Sequence, residues 1–249
     1  MRIVVCVKFF ENEITIERML YSITHFADKL VAIDGAYEGF SNHCKSKDKT
    51  VKKIEYWRDN YFHKPVTLVH FDIKEFFKNE MEKRNLMFKE YFYSEGDWIL
   101  FLDSDEWLIG DVFQKETREL LETTEEPYFL NWFYQRWNTI PLNEKKRNFW
   151  KYDENTSTLG KRQYMRLFRF TPGIRVIGNH WTIMYPSLKH SKYFFKTAET
   201  APLKIMHEPE KSNPKLIEQK EKYNFGERMT QEKRIVSARD LLESGELFK

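Results

Sequence analysis

The chain has 249 residues, of which 41 are Lys or Arg and 38 are Asp or Glu, so its formal net charge is only +3. A charge this small does not require a polyanionic partner, and nucleic-acid binding is therefore not expected. Apolar residues make up 41% of the chain and charged residues 32%, which is typical of a globular protein and excludes a disordered or collagen-like one. A chain of this length buries roughly 70 to 75% of its extended surface without disulfide staples.

The cysteines and the apolar runs bear on the compartment. The chain has two cysteines, Cys6 and Cys44, and one possible pair in a chain of this size indicates a reducing compartment with structural thiols. No apolar run approaches the ~18 to 20 residues that a membrane-spanning helix needs, and residues 1–7 are too short an apolar run for a signal peptide. We therefore predict a cytoplasmic protein without a transmembrane segment, and leave peripheral membrane contact open.

The first half of the chain alternates strand and helix patterns. Apolar residues at helical spacing predict one helix with a stripe from Ile16 to Ala27, a second with Val51, Ile54 and Trp57 inward, and a third over Phe77–Ser94. The third helix would turn Met81, Phe88 and Phe92 inward. Short apolar runs without polar alternation are typical of strands buried on both faces, and predict a mainly parallel sheet covered by helices. These runs are 3–7, 30–33, 66–71 and 98–102.

The second half has a different pattern. Its aromatic segments and long polar connections predict a smaller antiparallel region, and residues 211–249 a C-terminal helical extension. Acidic residues outnumber basic ones by 16 to 7 in residues 66–127, whereas basic residues outnumber acidic ones by 10 to 3 in residues 136–175. Either both regions are solvated surfaces, or an anionic ligand lies between a metal and a basic rim. The aromatic segments are 128–137, 164–170, 175–177 and 181–185.

Three carboxylates follow the fourth predicted strand directly. Asp103, Asp105 and Glu106 lie where a central strand ends and before an expected helical segment, which is the edge at which open α/β sheets bind ligands. Residues i and i+2 of an extended segment face the same side, so Asp103 and Asp105 converge while Ser104 turns away. At ~5 Å and an effective dielectric of ~20 their repulsion is about 3 kcal/mol, which a divalent cation would convert into attraction. The alternative is a turn or helix-cap cluster, since Asp and Ser favour both.

The type of ligand follows from the oxygen atoms. Hard carboxylate ligands favour Mg²⁺ or Mn²⁺, and such sites usually take one or two protein carboxylates and complete their shell with substrate phosphate. The sequence therefore predicts a nucleoside diphosphate held through a divalent cation at the end of the fourth strand.

Four motifs stand in order along residues 1–110: Asn12-Glu13, then Asp-Gly-Ala-Tyr-Glu-Gly at 34–39, then Arg84-Asn85, then Gly-Asp-Trp-Ile-Leu-Phe-Leu-Asp-Ser-Asp-Glu-Trp-Leu at 96–108. Together they resemble the family 2 glycosyltransferases of GT-A fold, which transfer sugars from nucleotide-sugar donors. The family has Asn-Glu, D-G-S-x-D-G, R-N and G-D-W-I-L-x-L-D-A-D-E-W-L at these places. Ala36 and Glu38 depart from its pattern.

The resemblance implies an architecture and an activity. It implies a GT-A-like domain over residues 1–210, with a nucleotide-sugar-binding half at 1–110 and an acceptor-side half at 111–210. It also implies Mn²⁺ or Mg²⁺ as cofactor, a nucleotide-diphosphate sugar as donor, and transfer with inversion to a glycan, lipid-linked or protein acceptor.

The resemblance further assigns roles to residues. Asp34 would accept a hydrogen bond from the base or ribose, or else serve only its turn with Gly35. Arg84 would approach the diphosphate, or else be a helix-surface charge. Asp103 would contact ribose or metal, and Asp105 would bind the metal. The other donor-binding candidates are Asn12, Glu13, Glu38 and Asn85.

Two histidines are further candidates. Residues 166–170 followed by Gly-Asn-His at 178–180 are similar to the family's L-F-R segment before G-x-x-H-E, with Trp181 in place of the glutamate. His207 resembles a second family histidine, and either imidazole completes a metal shell, contacts diphosphate, or is an ordinary core or surface histidine. By residue type the general base is Glu106, Asp153, Glu154 or His180. The catalytic candidates are Asp105, Glu106 and His180, and the metal ligands are Asp103, Asp105 and His207.

Other functions stay open on the sequence alone. A nucleotide- or carbohydrate-binding protein without catalysis would keep the same binding residues. A metal-dependent nucleotidyltransferase would also place acids at a strand end, although no Gly-rich phosphate loop follows the first strand. The basic, aromatic stretch 136–175 would suit a polyanionic acceptor or a nucleic acid. Trp137 and Trp150 within it, and Trp132 just before it, are either core residues or sugar-stacking surfaces.

Overall fold

The computed structural model describes residues 1–69, 75–136, 159–177, 182–184 and 199–207. Within them the chain forms four α-helices and ten strands, with a π-helical turn at Arg58–Phe62 and a 3₁₀ turn at Glu90–Phe92. The helices are α1 (Ile16–Ile23), α2 (Thr50–Trp57), α3 (Glu80–Leu86) and α4 (Asp111–Thr123). The strands are β1 (Ile3–Phe9), β2 (Lys29–Asp34), β3 (Val66–Val69), β4 (Trp98–Asp103), β5 (Glu106–Ile109), β6 (Tyr128–Arg136), β7 (Leu159–Arg169), β8 (Arg175–Ile177), β9 (Thr182–Met184) and β10 (Thr200–His207).

Eight strands form one sheet in the order β3-β2-β1-β4-β7-β6-β10-β5. The first four in this order are parallel to one another. β7 is antiparallel to both β4 and β6, β10 is parallel to β6, and β5 is antiparallel to β10. β8 and β9 form a separate antiparallel pair. The predicted α/β architecture, mainly parallel with an antiparallel region, is confirmed and is consistent with a GT-A-like fold.

The central strand β1 is buried on both faces, as its continuous apolar sequence predicts. Ile3, Val5 and Val7 pack into one core with α1 and α2. Val4 and Cys6 pack into the core on the opposite face, where the aromatic rings include Phe88, Phe92, Phe101 and Phe168. Alternate residues of β1 thus join two different helical layers, which fixes the register of β1 in the sheet.

The first two predicted helices are confirmed. Helix α1 buries the stripe from Ile16 to Ile23, but Ala27 lies four residues beyond its end although it is also fully buried. Helix α2 buries Ile54 and Trp57, and the Trp57 ring stacks on Phe62 with 4.3 Å between ring centroids. Strand β3 begins at the predicted residue, and the end predicted at residue 71 lies outside the described residues.

The third predicted helix, over Phe77–Ser94, is wrong in its extent. Helix α3 begins after Asn79, whose side chain accepts a hydrogen bond from the Glu82 backbone N–H and so caps it. It ends at Leu86, and a separate 3₁₀ turn follows. Met81, expected inward, is 39% exposed, because α3 turns its charged residues Lys83 and Arg84 into the protein.

Strands β5 and β10 are present in the structure but were not predicted from the sequence. The helical segment expected directly after Glu106 is preceded by β5, in which Glu106 and Leu108 are buried and Trp107 and Ile109 are partly exposed. That alternation has the period of a strand, and Gly110, with φ +76°, then turns the chain into α4. Strand β10 was not predicted, because Pro202 interrupts its apolar pattern. The second half is also not wholly antiparallel, since β10 runs parallel to β6.

Several predictions fall outside the described residues. These include the C-terminal extension 211–249, Trp137, Trp150 and Trp181. Among the helices that the structure describes, none has both the length and the apolar character that crossing a membrane requires.

We expect the two thiols to differ in reactivity. Cys6 is fully buried with its Sγ 3.0 Å from the Tyr93 hydroxyl, and burial raises the pKa of Cys6 to about 12. Cys44 is partly exposed. Because the thiolate is the reactive form, iodoacetamide at pH 8 should label Cys44 and leave Cys6 unmodified until urea unfolds the protein. Peptide mass spectrometry measures this, and equal labelling rates for the two thiols in the native protein would contradict it.

Candidate functional site

The parallel strands bring the acidic motif to one edge of the sheet. Strands β1, β2 and β4 end at Phe9, Asp34 and Asp103, and parallel pairing places these ends side by side. Asp103 is in register with Lys8 of β1. At the far side of the sheet β10 ends at His207, which pairs with Glu106 of β5. The chain therefore delivers residues 103–106 and His207 to the same edge from different directions.

Asp103 is held by two cations. Its Oδ1 lies 3.5 Å from Lys8 Nζ and 3.5 Å from Arg84 Nη2. Burial alone would raise the pKa of Asp103, but Lys8, Arg84 and Arg166 outweigh burial, so the pKa lies below its ordinary value. Asp103 is thus kept as a carboxylate, with 24% of its side chain exposed.

Glu80 balances the same two cations from helix α3. Its Oε1 accepts hydrogen bonds from Arg84 Nε at 2.8 Å and Arg84 Nη2 at 2.5 Å, and also contacts Lys8 Nζ. Burial and Arg84 lower the pKa of Lys8, but Asp103, Tyr37 and Glu80 raise it by more. With Asp103 the cluster has two cations and two anions. The Arg84 side chain is 2% exposed and is paired with Glu80 and Asp103. It would contact a diphosphate only if the diphosphate bound against this cluster.

Asp105 lies in the turn between β4 and β5 and contacts His207. The distance from Asp105 Oδ2 to His207 Nε2 is 3.2 Å, and each side chain is about one-fifth exposed, at 19% and 20%. Burial lowers the pKa of His207, but the hydrogen bond and charge of Asp105, with Glu106 and Asp103, raise it overall. The carboxylate thus lets the imidazole keep its proton to a higher pH than usual, and binding of a metal ion at Nε2 would displace that proton.

Glu106 is buried against Arg166. Its Oε1 accepts a hydrogen bond from Arg166 Nη2 at 2.6 Å, with side-chain exposures of 2% and 3%. Its Oε2 accepts the backbone N–H of Asp103 at 2.8 Å. Burial raises the pKa of Glu106 to about 7, Asp103 and Asp105 add to the rise, and Arg166 and His207 oppose it. Glu106 thus fixes the turn that carries the acidic motif, and it would act as a base only if one of these bonds opened.

The donor atoms suit a cation that is shared with a ligand. In the part of the chain that the structure describes, no three His, Cys, Asp or Glu side chains stand together as metal ligands. Asp105 and His207 are in contact, and Asp103 follows at the adjoining strand end. Because Mg²⁺ sites commonly use one or two carboxylates plus substrate phosphate, these residues fit such a site and do not fit a closed structural metal centre.

Asp34 anchors the loop that follows β2. It is 1% exposed, its Oδ2 accepts the Ser46 N–H at 2.9 Å and its Oδ1 accepts the Ser46 hydroxyl at 2.6 Å. The Ser46 hydroxyl in turn accepts the Glu11 N–H at 2.8 Å, and Glu11 Oε1 lies 2.7 Å from His43 Nε2. The loop after β2 is therefore folded back onto the end of β1. A nucleoside would meet Asp34 with both of its oxygens already in use.

Four of the predicted donor-binding residues have structural contacts away from the acidic motif. Asn12 forms the turn that precedes α1, because its carbonyl accepts the N–H groups of residues 15 and 16. Glu13 bonds the backbone of Lys49, and Glu38 is exposed. The Asn85 amide makes two hydrogen bonds with the Val176 backbone, at 2.8 and 3.1 Å, which attach β8 to α3.

The structure thus brings together Asp103, Asp105, Glu106, His207 and Arg84. Asp34 lies two strands from Asp103, with β1 between them. Three predicted candidates, His180, Asp153 and Glu154, lie outside the described residues.

Three charged residues of this edge were missed from the sequence. Lys8 is a lone charge in an apolar strand, and Glu80 stands four residues before Arg84, which is the spacing of a helical ion pair. Lys83 is 2% exposed, and its Nζ donates to the carbonyls of Phe9 and Gly35. Of the three, only Lys8 and Glu80 stood in a sequence pattern from which their role could have been predicted.

We expect Lys83 to give the protein a distinct pH dependence. Burial lowers the pKa of Lys83 from 10.5 to about 7. The charge of Lys8 lowers this pKa further, whereas the charges of Asp34, Glu80 and Asp103 raise it. Between these two values the unfolded chain keeps a proton that the folded chain has released. The contribution of Lys83 to the free energy of unfolding therefore rises from pH 7 to pH 10.5 and is flat outside this window.

Urea unfolding of the parent and of Lys83→Met at pH 7, 8.5 and 10 measures this effect. The difference in unfolding free energy between the two proteins isolates Lys83 from thiols and tyrosines that titrate in the same range. It should move in favour of the parent as pH rises. A difference that stays constant across the three pH values would show that Lys83 does not change protonation there.

Comparisons with known proteins give a limited result. No protein-family model and no curated protein matches the chain. The crystal structure of S. aureus TarS 1–349 aligns with 57% of this chain and 39% of its own length, at 18% identity and a TM-score of 0.39. Another crystal structure of S. aureus TarS aligns with 56% of this chain and 22% of its own, at 18% identity and a TM-score of 0.38. TarS is a glycosyltransferase, and a likeness this distant and partial carries no inference about the activity of this chain.

Proposed function

We propose that the chain is a metal-dependent glycosyltransferase that moves a sugar from a nucleotide-diphosphate donor to a glycan, lipid-linked or protein acceptor. The observation that carries the proposal is the contact between Asp105 and His207 at the carboxyl edge of a parallel sheet, next to the strand end at Asp103 and two strands from Asp34. The Asp-Ser-Asp-Glu-Trp-Leu block that supplies two of these residues also resembles the motif of family 2 glycosyltransferases.

Each residue of the edge has a part in this proposal. Asp34, whose two oxygens hold Ser46, orients the nucleoside through the loop that follows β2, and Asp105 with Asp103 and His207 holds a divalent cation. Lys8 and Arg84 keep Asp103 ionised, and Glu106 fixes the turn between the two aspartates. When bound, Mn²⁺ or Mg²⁺ would neutralise the charge that grows on the leaving diphosphate.

An inverting transfer also needs a base for the acceptor hydroxyl. The base must lie within hydrogen-bond reach of that hydroxyl and have a pKa suited to proton transfer. Glu106 has the raised pKa, of about 7, but its oxygens are engaged by Arg166 and the Asp103 N–H. The other three candidates by residue type are Asp153, Glu154 and His180, and any of the four completes the proposed chemistry.

A thermal-shift screen of nucleoside diphosphates, with and without Mn²⁺, tests the proposal. A ligand at one hundred times its Kd stabilises the folded state by about 2.7 kcal/mol, which for a chain of this size raises Tm by roughly 5 to 10 °C. We expect such a shift with one nucleoside diphosphate, in the presence of Mn²⁺ and not with EDTA. If no nucleoside diphosphate shifts Tm with Mn²⁺ present, the proposal fails.

A second assay separates an enzyme from a binding protein with the same site. Glycosyltransferases of this kind should slowly hydrolyse the matching nucleotide sugar, with release of nucleoside diphosphate. Binding of the diphosphate without hydrolysis or transfer would favour the binding protein. Release of pyrophosphate from a nucleoside triphosphate would favour the nucleotidyltransferase.

A further inference from the structure

Helix α3 directs two consecutive buried cations to different strand ends. Arg84 faces Asp103 at the end of β4. Lys83, the residue before it, donates from Nζ to the carbonyl of Phe9 at 2.7 Å and to the carbonyl of Gly35 at 2.5 Å. Consecutive helical residues point about 100° apart, so one short helix can serve both places. The contacts of Lys83 with these two carbonyls are not part of the cluster of Asp103, Lys8, Arg84 and Glu80 described above.

The two carbonyls that Lys83 joins belong to neighbouring strand ends. Phe9 is the last residue of β1, and Gly35 is the first residue after β2. The Gly35 N–H also donates to the Phe9 carbonyl, at 3.3 Å. Lys83 therefore lies at the point where the loop after β2 leaves the sheet.

The surroundings of this point are closely packed. Gly35 has φ +139°, and a Cβ on it would lie 2.5 Å from the Phe77 ring. The rings of Phe77 and Tyr37 each lie with their centroids 5.5 Å from Lys83 Nζ, within the range of a cation–π contact. Only glycine lets the loop approach the Phe77 ring in this way. The ammonium group is thus enclosed by two carbonyls and two aromatic rings.

The loop itself, residues 34–46, is also attached to the end of β1: the Glu11 N–H donates to the Ser46 hydroxyl, Glu11 Oε1 lies 2.7 Å from His43 Nε2, and the Phe10 ring contacts Phe40. The two ends of the loop are joined, because the N–H and the hydroxyl of Ser46 donate hydrogen bonds to the Asp34 carboxylate. In between, the Ala36 carbonyl accepts the Phe77 N–H at 3.0 Å and the Phe77 carbonyl accepts the Glu38 N–H at 2.9 Å. Lys83 differs from these contacts because it reaches from α3 and binds Gly35, the first residue after β2, to the end of β1.

A buried amino group, neutral or charged, destabilises the fold unless it is hydrogen-bonded, so we ask what its place here contributes to the site. The loop and Asp34 are the proposed nucleoside-binding part of the site. We propose that Lys83 is a positioning residue for the nucleoside: it sets the spacing between the end of β1 and the loop 34–46, and so sets nucleoside affinity. This inference rests on the proposed function.

The test compares Lys83→Met with Lys115→Met, which makes the same change on α4 where the side chain is 81% exposed. Hydrogen exchange is followed at the amides of Ala36, Glu38 and Ser46, with Leu100 of β4 as the internal reference. Removing the N–H donors of Lys83 from two buried carbonyls should speed exchange at the three loop amides by about tenfold or more relative to Leu100. Lys115→Met should leave all four amides unchanged.

Calorimetry with uridine diphosphate or guanosine diphosphate and Mn²⁺, whichever the parent binds, supplies the second arm. We expect Lys83→Met to weaken binding about tenfold or more. In donor hydrolysis, KM should rise by a similar factor while kcat stays within about twofold, since Lys83 contacts the loop and not the reacting bond. A residue that only supports overall stability would not separate KM from kcat in this way.

Each outcome decides the inference. Loop amides that exchange as in the parent would overturn it, and so would a loosened loop with unchanged nucleotide affinity. If the parent binds no nucleoside diphosphate, the proposed function fails by itself, and the positioning role for a nucleoside falls with it even where the exchange data show the tether. Should Lys83→Met not fold, Lys83→Gln, whose side chain is one bond shorter and so cannot place a donor at the Nζ position, is measured instead with the same criteria.

Discussion

Asp105→Asn should abolish the Mn²⁺-dependent part of nucleoside diphosphate binding, with a loss of affinity of about a hundredfold or more. The substitution keeps the shape of the side chain but removes the charge that a hard cation requires. Loss of a supporting group around a metal ligand already costs about 10- to 100-fold in metal affinity, and Asp105 is proposed to be a ligand itself. Calorimetric titration with and without Mn²⁺ gives the affinity directly.

The same substitution should leave the free energy of unfolding nearly unchanged, or raise it. Asp105 adds to the repulsion among the carboxylates of this edge, since its charge raises the pKa of both Asp103 and Glu106. Removing it relieves that repulsion, which offsets the lost contact with His207. Asp59→Asn is the matched control, because its side chain is 59% exposed and pairs only with the surface residue Arg58 in the contacts described. Equal affinity in the parent and in Asp105→Asn would count against the metal assignment.

Arg166→Met should destabilise the protein by about 3 to 5 kcal/mol, since it leaves Glu106 buried without its cation. The double variant Arg166→Met with Glu106→Gln should recover much of this loss, because no charge is then buried alone. Arg58→Met is a matched control: its ion pair with Asp59 has the same 2.6 Å distance but is exposed, so its loss should cost less than about 1 kcal/mol.

The loss should also depend on pH. Without Arg166 the pKa of Glu106 lies further above its value in the unfolded chain, so the folded protein keeps a proton that the unfolded chain has released. The stability of the parent falls with rising pH up to about 7, where Glu106 ionises, and that of the variant goes on falling above this pH, so the loss should be larger at pH 8 than at pH 5.5. Urea unfolding at pH 5.5 and 8 measures it. A loss below about 1 kcal/mol at pH 8 would mean that the pair does not hold the turn before β5.

Much of the sheet follows from the sequence, because strands buried on both faces are apolar throughout. The continuous apolar runs at β1, β2 and β4 are of this kind and lie as predicted. The extent of α3 could not be predicted from periodicity, since this helix buries Lys83 and Arg84 and exposes Met81. Strand β10 contains Pro202, which reads as a break, although its neighbours Ala201 and Leu203 are fully buried.

The site, like the sheet, has residues that the sequence predicts and residues that it does not. Asp103, Asp105 and Glu106 are adjacent in sequence, so a motif reveals them. Lys8 is 95 residues from Asp103, and only the pairing of β1 with β4 makes them neighbours. Lys83 acts through backbone carbonyls, which leave no trace in side-chain patterns. The partners of Lys8 and Lys83 therefore become visible only in the folded chain.

Electron paramagnetic resonance of Mn²⁺ tests the central claim most directly, because the signal of free Mn²⁺ falls when the ion is bound by the protein. With uridine or guanosine diphosphate present, the parent should bind one Mn²⁺ per chain beyond what the nucleotide binds alone, and Asp105→Asn should bind none. Equal binding of Mn²⁺ by the parent and by Asp105→Asn, or no protein-bound Mn²⁺ in the parent with either nucleotide, would contradict the claim that the carboxylates beyond β4 hold a divalent cation and a diphosphate.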